Sequence, residues 1–345
     1  MTETTETKKY DTLLTERIGR VERITLNRPE KRNALSFTAM RELVDAVRTA
    51  AYDKAVHVIV LRGAGPSFCA GFDLNAMQEE NPYGELPLTV EEDVDICVGV
   101  GENWRNLLNC RIPVIAQVHG NCLGNGTGLA LHCDMVIVAD DARIGFPPVR
   151  SMGSAPTHMW IYHAGPQWSK RILLTGDKFS GKKAAEIGLA LESVPADELD
   201  DHVMTLATRM SNIGRDLLAH NKRIVNLGME LMGRSTMQTL AAITDVLGHG
   251  APEVEQFHEQ VLTKGVKAAV AERDAPPGLR FGEEYAPPVL GHPGEAEVRP
   301  PLAVDRGRGA QVYLGRVLVH RTHLAPPVEE GGLPVLERAL QPAIG

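Results

Sequence analysis

The pattern of apolar and polar positions is clearest in 112–147. Ile112-Pro113-Val114-Ile115-Ala116-Gln117-Val118 is an apolar run of strand length, and Met135-Val136-Ile137-Val138-Ala139 is a second. Such runs predict buried strands. Between them, the segment from Gly120 to Gly128 predicts a tight glycine turn, and Leu129-Ala130-Leu131-His132-Cys133 predicts a buried helix. The succession strand, glycine turn, helix start recurs earlier, where Val58-Ile59-Val60-Leu61-Arg62-Gly63 runs into Ala64-Gly65-Pro66-Ser67-Phe68-Cys69-Ala70-Gly71-Phe72-Asp73-Leu74.

The rest of the pattern fills in around these blocks. Leu13–Leu26 predicts two short strands about Gly19. Phe37–Ala51 predicts a helix, with Met40, Leu43, Val44 and Val47 at helical spacing. Residues 78–100 begin acidic and irregular and predict a loop that runs into a helix ending near Asn109. Helices are expected to start in Thr157–His163, to continue through Pro166–Leu174, and to span Ser180–Ile187, Asp197–Asn212, Asp216–Met232 and Val254–Arg273, with a short strand at Leu189–Val194.

Composition narrows the function classes. A chain of 345 residues, 43% hydrophobic, can bury a large core, and its net charge of −8 with no basic run gives no nucleic-acid surface. Five scattered cysteines, an odd number with no CxxC pair, point to reduced thiols in a cytoplasm-like compartment and to no zinc site. No apolar stretch reaches membrane-spanning length, and Met1–Asp11 has no apolar core of a secretion signal. Residues 1–10 are expected to be disordered. Residues 275–345 hold eleven of the 22 prolines, so 279–345 reads as a proline-rich, disordered tail.

The two glycine junctions carry the candidate chemistry. A glycine turn entering a helix leaves unpaired N–H groups at the positive end of the helix dipole. Those groups can hold a phosphate, or an oxyanion that exists only during a reaction. One such turn is more often packing than function. Two can each give one N–H to a single carbonyl oxygen, which is the two-donor design of an oxyanion hole. Neither matches a dinucleotide or P-loop fingerprint.

Four motifs in order, Leu26-Asn27-Arg28-Pro29-Glu30-Lys31-Arg32-Asn33-Ala34-Leu35, Ser67 to Leu74, the 112–147 block and Leu174-Thr175-Gly176-Asp177, resemble the enoyl-CoA hydratase/isomerase (crotonase) superfamily. The resemblance implies an α/β fold: a spiral of ββα turns over 11–205, then a C-terminal helical trimerisation region over 206–278, assembled as a homotrimer or hexamer. It implies an acyl-CoA thioester substrate, with coenzyme A as part of the substrate and no separate cofactor or metal. Mapped by motif, the N–H groups of Phe72 and Asn125 would form the oxyanion hole, and Asn125 stands where the family has glycine. The CoA nucleotide would lie against Lys31, Arg32, Ala34, Ala70, Asp73, Leu74 and Gly124, with Lys31 and Arg32 as phosphate contacts.

The chain departs from this pattern at the acid and base. The two glutamates of the family's hydratases map to Gly128 and Pro148, which cannot transfer a proton. Ordinary hydration is therefore not expected, and isomerisation, thioester hydrolysis and C–C cleavage stay open, as does a non-catalytic acyl-CoA binder. His158, expected in the first turn of the helix after Pro156, is the candidate replacement, with Tyr162 as companion. Arg150 could orient a substrate carbonyl or carboxylate. Glu79, Glu80, Glu91, Glu92 and Asp95 in the variable region could also reach in.

Overall fold

The structure, a computed structural model, describes residues 10–84 and 87–275. Residues 1–9 and the proline-rich tail lie outside the described residues. Tyr10, expected in the disordered N-terminus, is packed instead, and its hydroxyl donates to Asp45 at 2.8 Å.

The chain opens with an antiparallel hairpin, β1 (Leu13–Ile18) and β2 (Val21–Leu26), turned at Gly19, followed by α1 (Phe37–Tyr52). Three strand–strand–helix passes follow. The first is β3 (Val58–Gly63), β4 (Ser67–Cys69), α2 (Leu74–Glu79) and α3 (Val90–Leu108). The second is β5 (Val114–Val118), β6 (Asn121–Leu123) and α4 (Asn125–Leu131). The third is β7 (Met135–Ala139), β8 (Arg143–Gly145) and α5 (Trp160–Thr175). A final turn adds β9 (Lys178–Ser180), α6 (Gly181–Glu186) and β10 (Glu192–Val194). First strands of the passes line up in one sheet of order β1-β2-β3-β5-β7-β10, and second strands in another of order β4-β6-β8-β9. This is the expected spiral. From β2 to β10 the first sheet is parallel throughout, so its central strands are buried on both faces.

The passes stack backbone on backbone. Gly63, Gly120, Gly145 and Gly181 sit against the carbonyls of Ser67, Pro66, Asp177 and Ala139, so closely that a Cβ at any of the four would overlap its neighbour. Part of the stretch read as a glycine turn is itself regular structure. Asn121–Leu123 pairs as a strand, and the helix starts at Asn125 rather than Leu129.

The helical remainder is α7 (Leu199–Ser211), α8 (Arg215–Leu231), α9 (Arg234–His249), α10 (Pro252–Lys264) and α11 (Val266–Arg273). The boundary expected at 205 falls inside α7, which buries Leu199, Val203 and Ala207 against the first sheet, so the spiral body runs on to Ser211. The helix expected over Val254–Arg273 breaks at Gly265, whose φ of 79° suits glycine alone. A helix that the apolar pattern does not single out, α9, packs along α3.

Candidate active site

Two segments meet at the glycine junctions, and buried polar groups lock them together. Asn33 is buried with a left-handed φ of 55°. Its side chain accepts from the Arg28 amide at 2.9 Å and donates to the carbonyls of Ala64 at 2.9 Å and Ser67 at 2.7 Å. Arg28 reaches the Ala34 carbonyl and Asp73, both at 2.7 Å. The Ala70 amide donates to the Arg32 carbonyl at 3.0 Å. Asp73 caps α2 by accepting from the Ala76 amide. The Arg28–Leu35 turn and the Ala70–Leu74 segment thus form one ledge. Lys31 and Arg32 stand exposed on it, and neither makes an ion pair among the described residues.

Above the ledge the two helix entries face each other. The Leu35 amide donates to Gly71 and the Asp73 amide donates to Leu35, which turns the N–H of Phe72, between them, to the opposite side. Gly71 has a φ of 106°, and a Cβ there would lie 3.1 Å from the Leu123 carbonyl and 3.6 Å from the Asn125 nitrogen. Only glycine lets the two junctions come this close. Among the described residues, the N–H groups of Phe72 and Asn125 have no backbone carbonyl partner.

Asn125 departs from the sequence expectation in two ways. Left-handed backbone is needed at Gly124 (φ 56°) and not at Asn125. Its side chain does not narrow a pocket. It turns into the core, where it accepts from the Trp104 indole at 3.1 Å and the Thr157 hydroxyl at 3.4 Å. A Cβ at Gly128 would lie 2.7 Å from that same amide oxygen and 2.7 Å from the Thr157 hydroxyl. The space that a glutamate at 128 would need is already filled. Pro148, at the second missing glutamate, packs over Gly124.

A cavity of about 240 Å³ opens beside Phe72. Its walls are largely apolar, with Phe37, Leu74, Leu88, Ile96, Val100 and Pro156 among them. Leu74 lines this cavity.

Several expected acid or base groups point elsewhere. His158 lies ahead of α5, which begins at Trp160 and not after Pro156. Burial lowers its pKa, and it does not line the cavity. Tyr162 is turned to the Met232 carbonyl at 3.4 Å. Arg150 is spent on structure, donating to the Thr175 carbonyl at 2.8 Å and pairing with Asp274 at 3.2 Å and Asp177 at 3.6 Å. Glu80 caps the Thr38 amide, Glu92 closes the capping box of α3, and Asp95 accepts from Tyr83.

The acidic groups that do reach the cavity are Asp93 and Asp245, with Cys97 and His249 beside them. Asp93 was within reach of sequence reasoning. Asp93, Cys97, Val100, Trp104 and Leu107 follow helical spacing, and that face of α3 is the buried one. Asp245 and His249 were not, because both sit on α9. His249 Nδ1 lies 2.7 Å from Asp93 Oδ2, and Nε2 lies 3.6 Å from Asp245 Oδ2. The Cys97 thiol is 3.9 Å from an oxygen of each carboxylate. Burial drives the Asp245 pKa up to about 7. Burial alone would lower the His249 pKa, but the hydrogen bond it donates to Asp93 and the two carboxylate charges raise it overall. Asp93, Cys97 and His249 each offer a ligand atom within 4.8 Å of the others, although no sequence spacing marks a metal site.

Comparison with known proteins gives the family. Residues 16–259 fit the profile of the enoyl-CoA hydratase/isomerase family. A probable mitochondrial enoyl-CoA hydratase of Dictyostelium discoideum is 32% identical over 228 residues, 65% of this chain and 78% of that protein. A hydroxycinnamoyl-CoA hydratase-lyase of Pseudomonas fluorescens is 36% identical over 190 residues, 54% of this chain and 68% of that one. Among solved structures, an enoyl-CoA hydratase from Mycobacterium smegmatis superposes with a TM-score of 0.72 at 35% identity, covering 76% of this chain and 93% of that chain. An enoyl-CoA hydratase/isomerase from Xanthobacter autotrophicus gives 0.72 at 34% identity, covering 77% and 98%. With the spiral, the paired glycine junctions and the profile in agreement over most of its length, this chain belongs to the enoyl-CoA hydratase/isomerase family.

Proposed function

We propose that this protein is an enzyme acting on acyl-CoA thioesters. It holds the thioester carbonyl between the N–H groups of Phe72 and Asn125 and places the acyl chain in the adjoining cavity. One observation carries this reading: two helix-entry amides without carbonyl partners adjoin one another beside an apolar cavity. Donors fixed before reaction stabilise charge that develops on the carbonyl oxygen, and losing one such donor costs about 3 kcal/mol of barrier. Lys31 and Arg32, exposed on the ledge and free of ion pairs among the described residues, supply the phosphate contacts, with Ala34, Ala70, Asp73 and Gly124 shaping the nucleotide groove. The substrate brings the coenzyme A, and no further cofactor is invoked.

Ordinary two-glutamate hydration is not expected, since neither Gly128 nor Pro148 offers a carboxyl group. Chemistry through an enolate, as in a lyase or isomerase, fits the remaining groups. The exposed apolar side chains of α8 support assembly into a homotrimer or hexamer. The unpaired, buried cysteines fit a reducing, cytoplasmic compartment.

Calorimetry tests the central claim. CoA esters should bind more tightly than the matching free acids, and Lys31→Ala/Arg32→Ala should weaken binding and flatten its salt dependence. No heat from any CoA ester across a chain-length series would refute it. Binding without turnover of any acyl-CoA would leave a non-catalytic binder.

A further inference from the structure

Four of the titratable groups on the cavity wall, Asp93, Cys97, Asp245 and His249, have no part in the function proposed above. Each helix contributes two of them one turn apart, Asp93 and Cys97 from α3, Asp245 and His249 from α9. Asp93 and Asp245 are each only 5% exposed. A purely structural role explains them poorly. The same two helices already pack through Cys97, Ala242 and Val246, with Val94 and Val98 against them. Buried charged groups give no better stability than apolar side chains of like volume.

The arrangement is also ordered as a relay. Asp93 holds His249 by Nδ1, which fixes the ring and aims Nε2 at Asp245. Asp245 lines the cavity, and its Oδ1 is buried against the Gly153–Ser154 backbone, where the Ser154 amide faces it without a well-aligned hydrogen bond among the described residues. A buried carboxylate so weakly paired is costly, and a proton taken from a molecule in the cavity would relieve that cost. A cation bound here would have to displace the 2.7 Å contact between His249 and Asp93.

We infer that Asp245 is the proton-transferring group for the bound acyl chain, with His249 and Asp93 as positioning residues. This rests on the thioester site proposed above. The Asp245 carboxylate takes a proton from the α-carbon. The C–H electron pair becomes the α-carbon–carbonyl-carbon π bond, and the carbonyl π pair moves onto oxygen, where the Phe72 and Asn125 amides hold the enolate. Returning the proton to the α-carbon regenerates the thioester. With a β,γ-unsaturated acyl group, returning it to the γ-carbon gives the α,β-unsaturated isomer. One carboxyl group suffices for both transfers, so two glutamates are not needed. The other groups facing Asp245 are the Cys97 thiol, the Ser154 amide and, from α10, His258 on the same cavity wall.

Exchange of the α-hydrogens of hexanoyl-CoA in deuterated water, followed by mass spectrometry, tests this on the full chain. The wild-type rate should rise with pH through about 7, as Asp245 ionises. Asp245→Asn should lower it by roughly 10²-fold or more, with hexanoyl-CoA binding by calorimetry little changed. Asp245→Glu should keep measurable exchange. His249→Gln should move the rise to higher pH, because the imidazolium charge that favours the carboxylate is gone. Three results would each overturn the assignment: undiminished exchange in Asp245→Asn, wild-type protein that binds hexanoyl-CoA without exchange at any pH, or exchange abolished by a chelator and restored by zinc. The thioester site itself would survive all three, and only a failure to bind CoA esters would remove both.

Discussion

Single residues decide what this site can and cannot do. Gly128 is the clearest case. Its missing side chain is replaced by the Asn125 amide, so Gly128→Glu should not restore hydration of crotonyl-CoA. It should instead lower the melting temperature, since the new Cβ meets Asn125 and Thr157 at 2.7 Å. A variant that hydrates crotonyl-CoA efficiently would show that the Asn125 side chain moves aside at little cost. His132 makes a second case. Fully buried, it bonds the Gly128 carbonyl at 2.7 Å and Gln238 at 2.7 Å, and burial pushes its pKa from 6.5 to about 3. The unfolded chain therefore binds a proton that the folded one refuses, and stability should fall as pH drops from about 6.5 towards 3. Buried His163 is shifted in the same direction and adds to the trend. Chemical denaturation across that window should show a shallower loss in His132→Gln. An unchanged slope would place the acid sensitivity elsewhere.

At the scale of elements, α5 shows how a local signal is passed over. Ala164-Gly165-Pro166 interrupts the helix, with Gly165 at φ 69° and ψ 176°. A Cβ there would touch nothing within 4 Å, so Gly165→Ala should cost about 1–3 kcal/mol from backbone strain alone. Thermal melting measures this directly, and a neutral result would mean that the helix straightens freely. Most strands and helices were legible because a buried parallel sheet leaves unbroken apolar runs and an amphipathic helix leaves a stripe. Helix α9 left neither. It has no side-chain cap, it carries Ser235, Thr236, Thr239 and Thr244, and its apolar residues point both ways, Ala242 and Val246 inward and Leu240, Ile243 and Leu247 outward. The glycine junctions could be read because glycine at such a bend has few substitutes. Asp245 and His249 could not, because their meaning depends on a helix packed against α3 from 148 or more residues away.

At the scale of the whole molecule, the outer helices end in a face that the described residues leave exposed. Among the residues of α8, Leu218 and Ala219 are buried, while Ile224, Val225 and Leu227 are exposed and Leu231 is 91% exposed. Exposed apolar side chains grouped on one helix are what the proposed assembly would bury. Ile224→Glu/Leu231→Glu should reduce the sedimenting mass towards that of one chain. Wild-type protein that already sediments as a single chain would refute the assembly.

The glycines that sit against backbone carbonyls within the spiral have a consequence for how the gene tolerates change. At most surface or core positions alanine is the gentlest replacement. At Gly63, Gly120, Gly145 and Gly181 even one methyl group meets a backbone oxygen that cannot turn away. In a saturation library these positions should behave almost as binary sites, where every substitution, small or large, is lost from the folded pool together. They should stand out as a column of intolerance running through the body, independent of the chemistry at the acyl cavity.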